Sequence, residues 1–349
     1  MKPRDLLTLL VIGAVVVIGG FALADAIRGK PRAERPSLTV GAETTAQPTP
    51  TIPVQTTPSR VPGPQPQPQA PPGWPEGELD GTLTLADAQT CDVRQIGLAG
   101  GRERPLAQYV GCQMWAPPVG PRLAYGLGPS SADGLQPFRI ADLANPRLEL
   151  GGYRALFGVI VWSPDGQHIA WCGRRRTGFD LEVGGPATQL PRCPAGYTRD
   201  NEVAYAVGNK VLVGDRAVFT ANGGVTYAKF GLDGSLAVVV DGKRIERWDG
   251  SSLTSTTELT PSFQGITPIF SNDNCAALFP LSQVVQLRDL GCPHGVTNRS
   301  FAGDTAAWSP DGEWVVTSNG VETEFHHVVG SHREITWPVG AVALAWRPD

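Results

Sequence analysis

Apolar and polar positions divide the chain into three stretches of different character. Leu6 to Ala24 is nineteen residues without a charge, bracketed by Lys2, Arg4 and Asp5 before and by Asp25 and Arg28 after. Nineteen helical residues rise about 28 Å, close to the roughly 30 Å of bilayer hydrocarbon, so the stretch predicts one hydrophobic helix behind a short tail of residues 1–5. Residues 25–80 carry no apolar periodicity; the run QPTPTIPVQTTPSRVPGPQPQPQAPPGWP is Pro-, Thr- and Gln-rich. Such a segment cannot bury enough surface to fold, and dense proline biases it to extended polyproline II. From 81 to 349 short alternating runs predict strands instead: HIAW (168–171), EVAYAV (202–207), SLAVVV (235–240), CAALF (275–279) and EWVVT (313–317). A second set follows most of them, among them FRIADL (138–143), KVLVGD (210–215), KRIERW (243–248) and VVQLRDL (284–290).

These strands recur in a frame. WSPDG at Trp162–Gly166 returns letter for letter at Trp308–Gly312, and five further sites share its aromatic: Trp115 (WAPPV), Tyr197 (YTRDN), Phe230 (FGLDG), Phe270 (FSNDN) and Trp346 (WRPD). The spacings are 47, 35, 33, 40, 38 and 38 residues. Position four is Asp in six of the seven copies, Asp165, Asp233, Asp273 and Asp311 among them. In the five unambiguous copies position five is Gly166, Asn201, Gly234, Asn274 or Gly312, the residue types that most readily take positive φ in a turn. Short strands with turn signals at this period are the signature of a β-propeller. The chain stops four residues into its last copy, while GTLTLAD (81–87) and CDVRQIGL (91–98) are strands with no opening motif. A last blade built from both termini would close the ring without leaving a free sheet edge. The expectation is an all-β fold: one propeller over 81–349, closed by N- and C-terminal strands and preceded by one hydrophobic helix. Seven blades is the leading count; six is the alternative, because Tyr197 and Phe230 sit in short units.

The WSPDG copies at 162–166 and 308–312, each followed by a short strand, resemble the repeat of TolB-type β-propellers. The resemblance covers roughly residues 81–349 and implies an extracytoplasmic propeller used as a platform for protein contacts. It also has a limit. TolB carries an N-terminal α/β domain where this chain has a hydrophobic segment and a proline-rich stretch, so TolB's own envelope partners do not transfer.

Cysteine placement adds a compartment. Cys91 and Cys112 fall in the closing unit, Cys172 and Cys193 in the Trp162 unit, and Cys275 and Cys292 in the Phe270 unit. Every unit with cysteine has two, which makes three intra-blade disulfides the leading pairing and an oxidising compartment the leading location; free buried thiols are the alternative. Arg28, Lys30, Arg32 and Arg35 follow the helix and would favour the opposite topology by the positive-inside rule. The paired cysteines outweigh that count, giving a tail inside and a propeller outside. The helix reads as a retained signal anchor, with a cleaved signal peptide as the alternative because Ala22-Leu23-Ala24 fits a cleavage site.

Composition fits this picture: Gly 42, Pro 32 and 18% charged residues suit a turn-rich β protein. A net charge of −4 without a long basic run gives nucleic-acid binding no electrostatic support. Candidate chemistry is sparse. No GxSxG elbow, HExxH, P-loop or dinucleotide fingerprint occurs. His326 and His327 are adjacent in a strand and point to opposite faces, so the pair does not make a metal site, and exposed histidines are expected there. GRRR (173–176) reads as a solvated loop, with an acidic partner or lipid headgroup as the functional alternative. No catalytic, metal or cofactor residue is assigned. The expected function is a non-catalytic scaffold on a proline-rich stalk, tethered by the helix and binding an envelope protein or wall polymer. The alternatives are a propeller hydrolase or lyase acting on surface glycan or peptide, and a ligand-binding sensor.

Overall fold

The computed structural model describes residues 79–107, 112–127, 134–144, 149–156, 160–263, 266–292, 295–330 and 333–348. The expected helix at 6–24 and nearly all of the 25–80 linker lie outside the described residues. Among the described residues no helix is long and apolar enough to cross a membrane.

The described chain forms seven four-stranded antiparallel sheets, so the count is seven blades. We number them in chain order by their opening aromatics, from blade 1 (Trp115) to blade 7 (Trp346). In blade 2 the strands are Ile160–Trp162, His168–Cys172, Gly178–Glu182 and Ala187–Leu190, hydrogen-bonded in that order. Blade 7 is assembled from both ends of the described chain: Ala341–Arg347 is its first strand and pairs with Thr82–Asp87, with Leu83 opposite Trp346 and Leu85 opposite Leu344. Val93–Gly97 and Arg102–Ala107 complete that sheet. First strands of successive blades neighbour one another and surround the axis.

Antiparallel order sorts the loops into two faces. Turns joining first to second and third to fourth strands emerge on one face, here the motif face. Turns joining second to third strands, together with the links between blades, emerge on the other, the link face. All three cystine bridges are intra-blade: Cys91–Cys112, Cys172–Cys193 and Cys275–Cys292, with Cα atoms 4.9, 4.8 and 5.2 Å apart. The first two clamp the link face; the third clamps the motif face.

Alternation in each strand sends one set of side chains toward each neighbouring blade, so the core is a series of seams. Six buried apolar clusters fill six of the seven seams. Leu83, Leu85, Val316 and Phe325 pack between blades 6 and 7. Phe138, Ile140, Ile169 and Trp171 pack between blades 1 and 2, where the Phe138 and Trp171 rings meet edge to face at 5.5 Å. Burying one such side chain contributes roughly 1.5–3 kcal/mol.

The seam between blades 2 and 3 is built differently. There the Tyr197 hydroxyl donates to Asp180 Oδ1 at 2.5 Å, Asn201 Nδ2 donates to Asp165 Oδ2 at 2.8 Å, and His168 Nδ1 lies 3.6 Å from Asp180. Burial, then the Asp180 contact, raises the Tyr197 pKa far above its ordinary value, so the phenol stays protonated and donates.

Deleting residues 341–349 removes the first strand of blade 7 and uncovers the cluster between blades 6 and 7. The truncated chain is expected to lose its single cooperative thermal transition, monitored by near-UV circular dichroism. Tyr197→Phe is expected to cost about 1.5–3 kcal/mol in chemical denaturation, the range for a hydrogen bond to a charged group.

Candidate functional site

The repeated motif occupies the turn between first and second strands, and its polar residues close that turn. In blade 2 the Ser163 amide donates to the His168 carbonyl at 3.0 Å, and the Gly166 amide donates to the Ser163 carbonyl at 3.0 Å. The His168 amide donates to Ser163 Oγ at 2.9 Å, and that hydroxyl donates to Asp165 Oδ1 at 2.6 Å. The same carboxylate oxygen accepts the Gln167 amide at 2.9 Å. A serine hydroxyl, both donor and acceptor, therefore takes the place of a ladder carbonyl while fixing the aspartate. Burial works to raise the Asp165 pKa, but the Ser163 and Gln167 hydrogen bonds and nearby His168 outweigh it and hold the carboxyl below its ordinary value.

The arrangement repeats. In blade 6 the Trp314 amide donates to Ser309 Oγ at 2.8 Å, and that hydroxyl donates to Asp311. In blade 5 the Ala276 amide donates to Ser271 Oγ at 3.0 Å, and the hydroxyl donates to Asp273 Oδ1 at 2.7 Å. Blade 4 has Gly231 at the serine position, and Ser235, four residues on, turns its hydroxyl onto Asp233 Oδ1 at 2.6 Å. A Cβ on Gly231 would stand 2.6 Å from that Ser235 oxygen, so the two residues exchange roles in one space. Position five has positive φ wherever it is Gly or Asn: 66° at Gly166, 61° at Asn201, 89° at Gly234, 55° at Asn274 and 76° at Gly312.

The same turns bind blade to blade. Trp162 Nε1 donates to the Trp115 carbonyl at 2.8 Å, and Trp308 Nε1 donates to the Ile269 carbonyl at 2.9 Å, each reaching the preceding blade. Trp346 Nε1 donates to the Asp80 carbonyl at 2.9 Å inside the closing blade. Phe270 stacks on Tyr227 of blade 4 with ring centroids 6.0 Å apart, and Phe230 packs against the cluster between blades 3 and 4. Asn274 Nδ2 donates to the Lys229 carbonyl at 3.2 Å. Arg347, at the serine position of the last copy, is 3% exposed and donates to the Gly120 and Arg122 carbonyls of blade 1 at 2.9 and 3.2 Å. Burial pushes its pKa down to about 10. Lys229 donates from Nζ to the Phe270 and Ser271 carbonyls at 2.9 and 3.2 Å. Burial lowers its pKa to about 8 against the pull of Asp273, although the side chain keeps partial solvent access.

The histidines correct one expectation. His326 is 2% exposed, not a surface residue: it stacks on Phe301 at 4.2 Å, and Nε2 lies 3.1 Å from Thr317 Oγ1. Glu324 and Glu334 stand 3.5 Å from its two nitrogens, and Arg299 reaches Glu334 at 3.6 Å. Burial pushes the His326 pKa down to about 4; Glu334 opposes this and Arg299 adds to it. His327, on the other face, sets its ring against Trp314 at 4.8 Å. Among the described residues no group of His, Cys, Asp and Glu is placed to hold a metal ion. Arg174, Arg175 and Arg176 are exposed on the link face beside the Cys172–Cys193 bridge.

No family model matches the chain, and no curated protein matches it. Among solved structures it is similar to the crystal structure of TolB from Acinetobacter baumannii, with 17% sequence identity and a TM-score of 0.44. That similarity covers 77% of this chain and 67% of the other.

Two outcomes follow from these turns and contacts. Ser163→Ala leaves the His168 amide without an acceptor and is expected to cost about 1–3 kcal/mol in urea unfolding. For His326, the folded pKa of about 4 lies below the ordinary 6.5, so between those values the unfolded state binds a proton that the folded state does not. Stability is therefore expected to fall as pH drops from about 6.5 to about 4, by on the order of 2–3 kcal/mol. His326→Gln should flatten that part of the urea-midpoint profile.

Proposed function

We propose that the chain is a non-catalytic extracytoplasmic scaffold, held by its hydrophobic segment at the cell membrane and displayed on the proline-rich stretch, where it binds an envelope protein or wall polymer. The observation that carries the reading is the engagement of the motif's reactive-looking groups. Ser163, Ser271 and Ser309 donate their hydroxyls to the nearby carboxylate and accept the turn amides. What remains for contact is the loop surface of a rigid ring, the usual place for recognition residues. Location outside the cytoplasm is supported by three intra-blade cystines on both faces, because such bridges persist in oxidising compartments. Tethering is supported by the uncharged run from Leu6 to Ala24.

Two measurements test the reading. Thiol labelling of intact cells before and after reduction should find all six cysteines blocked until reductant is added; six free thiols would overturn the location. Crosslinking in membranes followed by capture of the full chain should recover a specific partner. Hydrolytic turnover of a surface glycan or peptide by the purified chain would overturn the non-catalytic reading instead.

A further inference from the structure

The described link-face loops of blades 2 and 3 are cationic and hold no acidic residue of their own, while Asp241 of blade 4 accepts the Gly224 amide of the link that leaves blade 3. These loops carry Arg174, Arg175, Arg176, Arg192 and Lys210, all exposed, and contain no acidic residue between Gly173 and Thr177, Pro191 and Ala195, or Gly208 and Lys210. None of these five side chains has a hydrogen bond or ion pair among the described residues. Other arginines are engaged: Arg94 with Asp87 and Glu103, Arg244 with Glu246, Arg299 with Glu334, and Arg122 with the Gly166 carbonyl. The motif face carries both signs, with Asp165, Asp200, Asp233, Asp273 and Asp311 in its turns alongside Arg199 and Arg216. Packing consecutive like charges in one loop is unfavourable on its own. Arg175 and Arg176 also sit at φ 58° and 60°, a conformation that costs a non-glycine residue roughly 1–2 kcal/mol. The bridge from Cys172 to Cys193 holds this loop against Arg192.

A second observation concerns the sheet below that loop. Outer strands are edges with unpaired backbone groups, which proteins ordinarily guard with charge, proline or bulges. Six of the seven outer strands contain at least one charged residue: Arg102–Ala107, Glu149–Leu156, Arg216–Thr220, Ser252–Glu258, Arg299–Ala302 and Glu334–Trp337. The seventh, Ala187–Leu190 of blade 2, is Ala-Thr-Gln-Leu, uncharged and flanked by Pro186 and Pro191 outside its paired span. It pairs with Gly178–Glu182 in regular register without a bulge, and Ala187, Thr188 and Gln189 are exposed. Its last residue, Leu190, pairs with Gly178, so the uncharged edge ends at the arginine loop.

We propose that blade 2 binds an extended acidic peptide segment of another protein, added as a fifth strand along Ala187–Leu190 with its carboxylates on Arg174, Arg175, Arg176 and Arg192. Main-chain pairing at an open edge supplies affinity, and forked guanidinium–carboxylate hydrogen bonds supply direction and choice of sequence. A lipid surface would be met by charge spread across a whole face, whereas this charge lies over two neighbouring blades at the end of one strand. The proposal rests on the scaffold reading and names the chemistry of its partner.

The test uses the full chain and a fluorescein-labelled peptide of alternating Thr and Val followed by a run of Glu, read by anisotropy. Binding is expected to weaken at least about tenfold in the Arg174→Gln, Arg175→Gln, Arg176→Gln triple variant, and to weaken with added salt. A peptide with proline at alternate strand positions, keeping the Glu run, should lose binding, because proline cannot pair along the edge. The substitutions are all on exposed side chains, and an unchanged thermal midpoint verifies the fold. Equal binding of the proline peptide, equal binding by the triple variant, or arginine-dependent binding of phosphatidylglycerol vesicles or polyphosphate in place of the peptide would each overturn the proposal. A crosslinked partner captured equally by wild type and triple variant would also overturn it while leaving the scaffold reading in place.

Discussion

The serine hydroxyl of the motif turn joins two requirements that a propeller must meet at once. Each blade has to reverse direction next to the axis, and each has to present its first strand to the blade beside it. Ser163, Ser271 and Ser309 accept an amide that would otherwise lose its ladder partner and donate to the aspartate that orders the turn. With the turn fixed, the indole of Trp162 or Trp308 is aimed at a carbonyl of the preceding blade. Local closure and ring assembly thus depend on one short segment. This accounts for recurrence of its residue types where strand sequences diverge.

Second and third strands were legible because burial on both sides makes them apolar or sharply alternating, as in Leu236–Val240, buried at every position. First strands such as Met114–Trp115, Gly196–Tyr197 and Ile269–Phe270 are two residues long and carry too little pattern to read. Outer strands were missed for a different reason. Ser252–Glu258 faces solvent along most of its length and has no apolar face to announce it. The role of Ser235 was hidden because it lies outside the five-residue frame and matters only in space, where it fills the room left by Gly231. His326 looked like surface from its polar neighbours, but Phe301 of the preceding blade covers its ring, and that contact spans a seam no local pattern reports.

The candidate binding surface was half visible. The arginine run stood out in the sequence, but its significance depends on three facts of topology: which face its loop occupies, which strand ends beside it, and which cysteine clamps it. Blade 2 is also where the packing changes character, because among the described residues its seam with blade 3 is built on Asp180, Tyr197, Asp165 and Asn201 and lacks an apolar cluster like those that fill the other six. A seam held by hydrogen bonds is more sensitive to geometry than one held by burial, since each unpaired buried group carries its own desolvation cost. The cystine at Cys172 and Cys193 reinforces the link face at that point.

Native-state hydrogen exchange of the His168, Ala276 and Trp314 amides tests the central claim, that the serine-closed turns are part of the ring's cooperative core. The account predicts that all three exchange only through global unfolding, with one common free energy that falls with denaturant at the slope of the whole propeller. Exchange of these amides at separate, lower free energies that do not vary with denaturant would show the turns opening locally, and would contradict it.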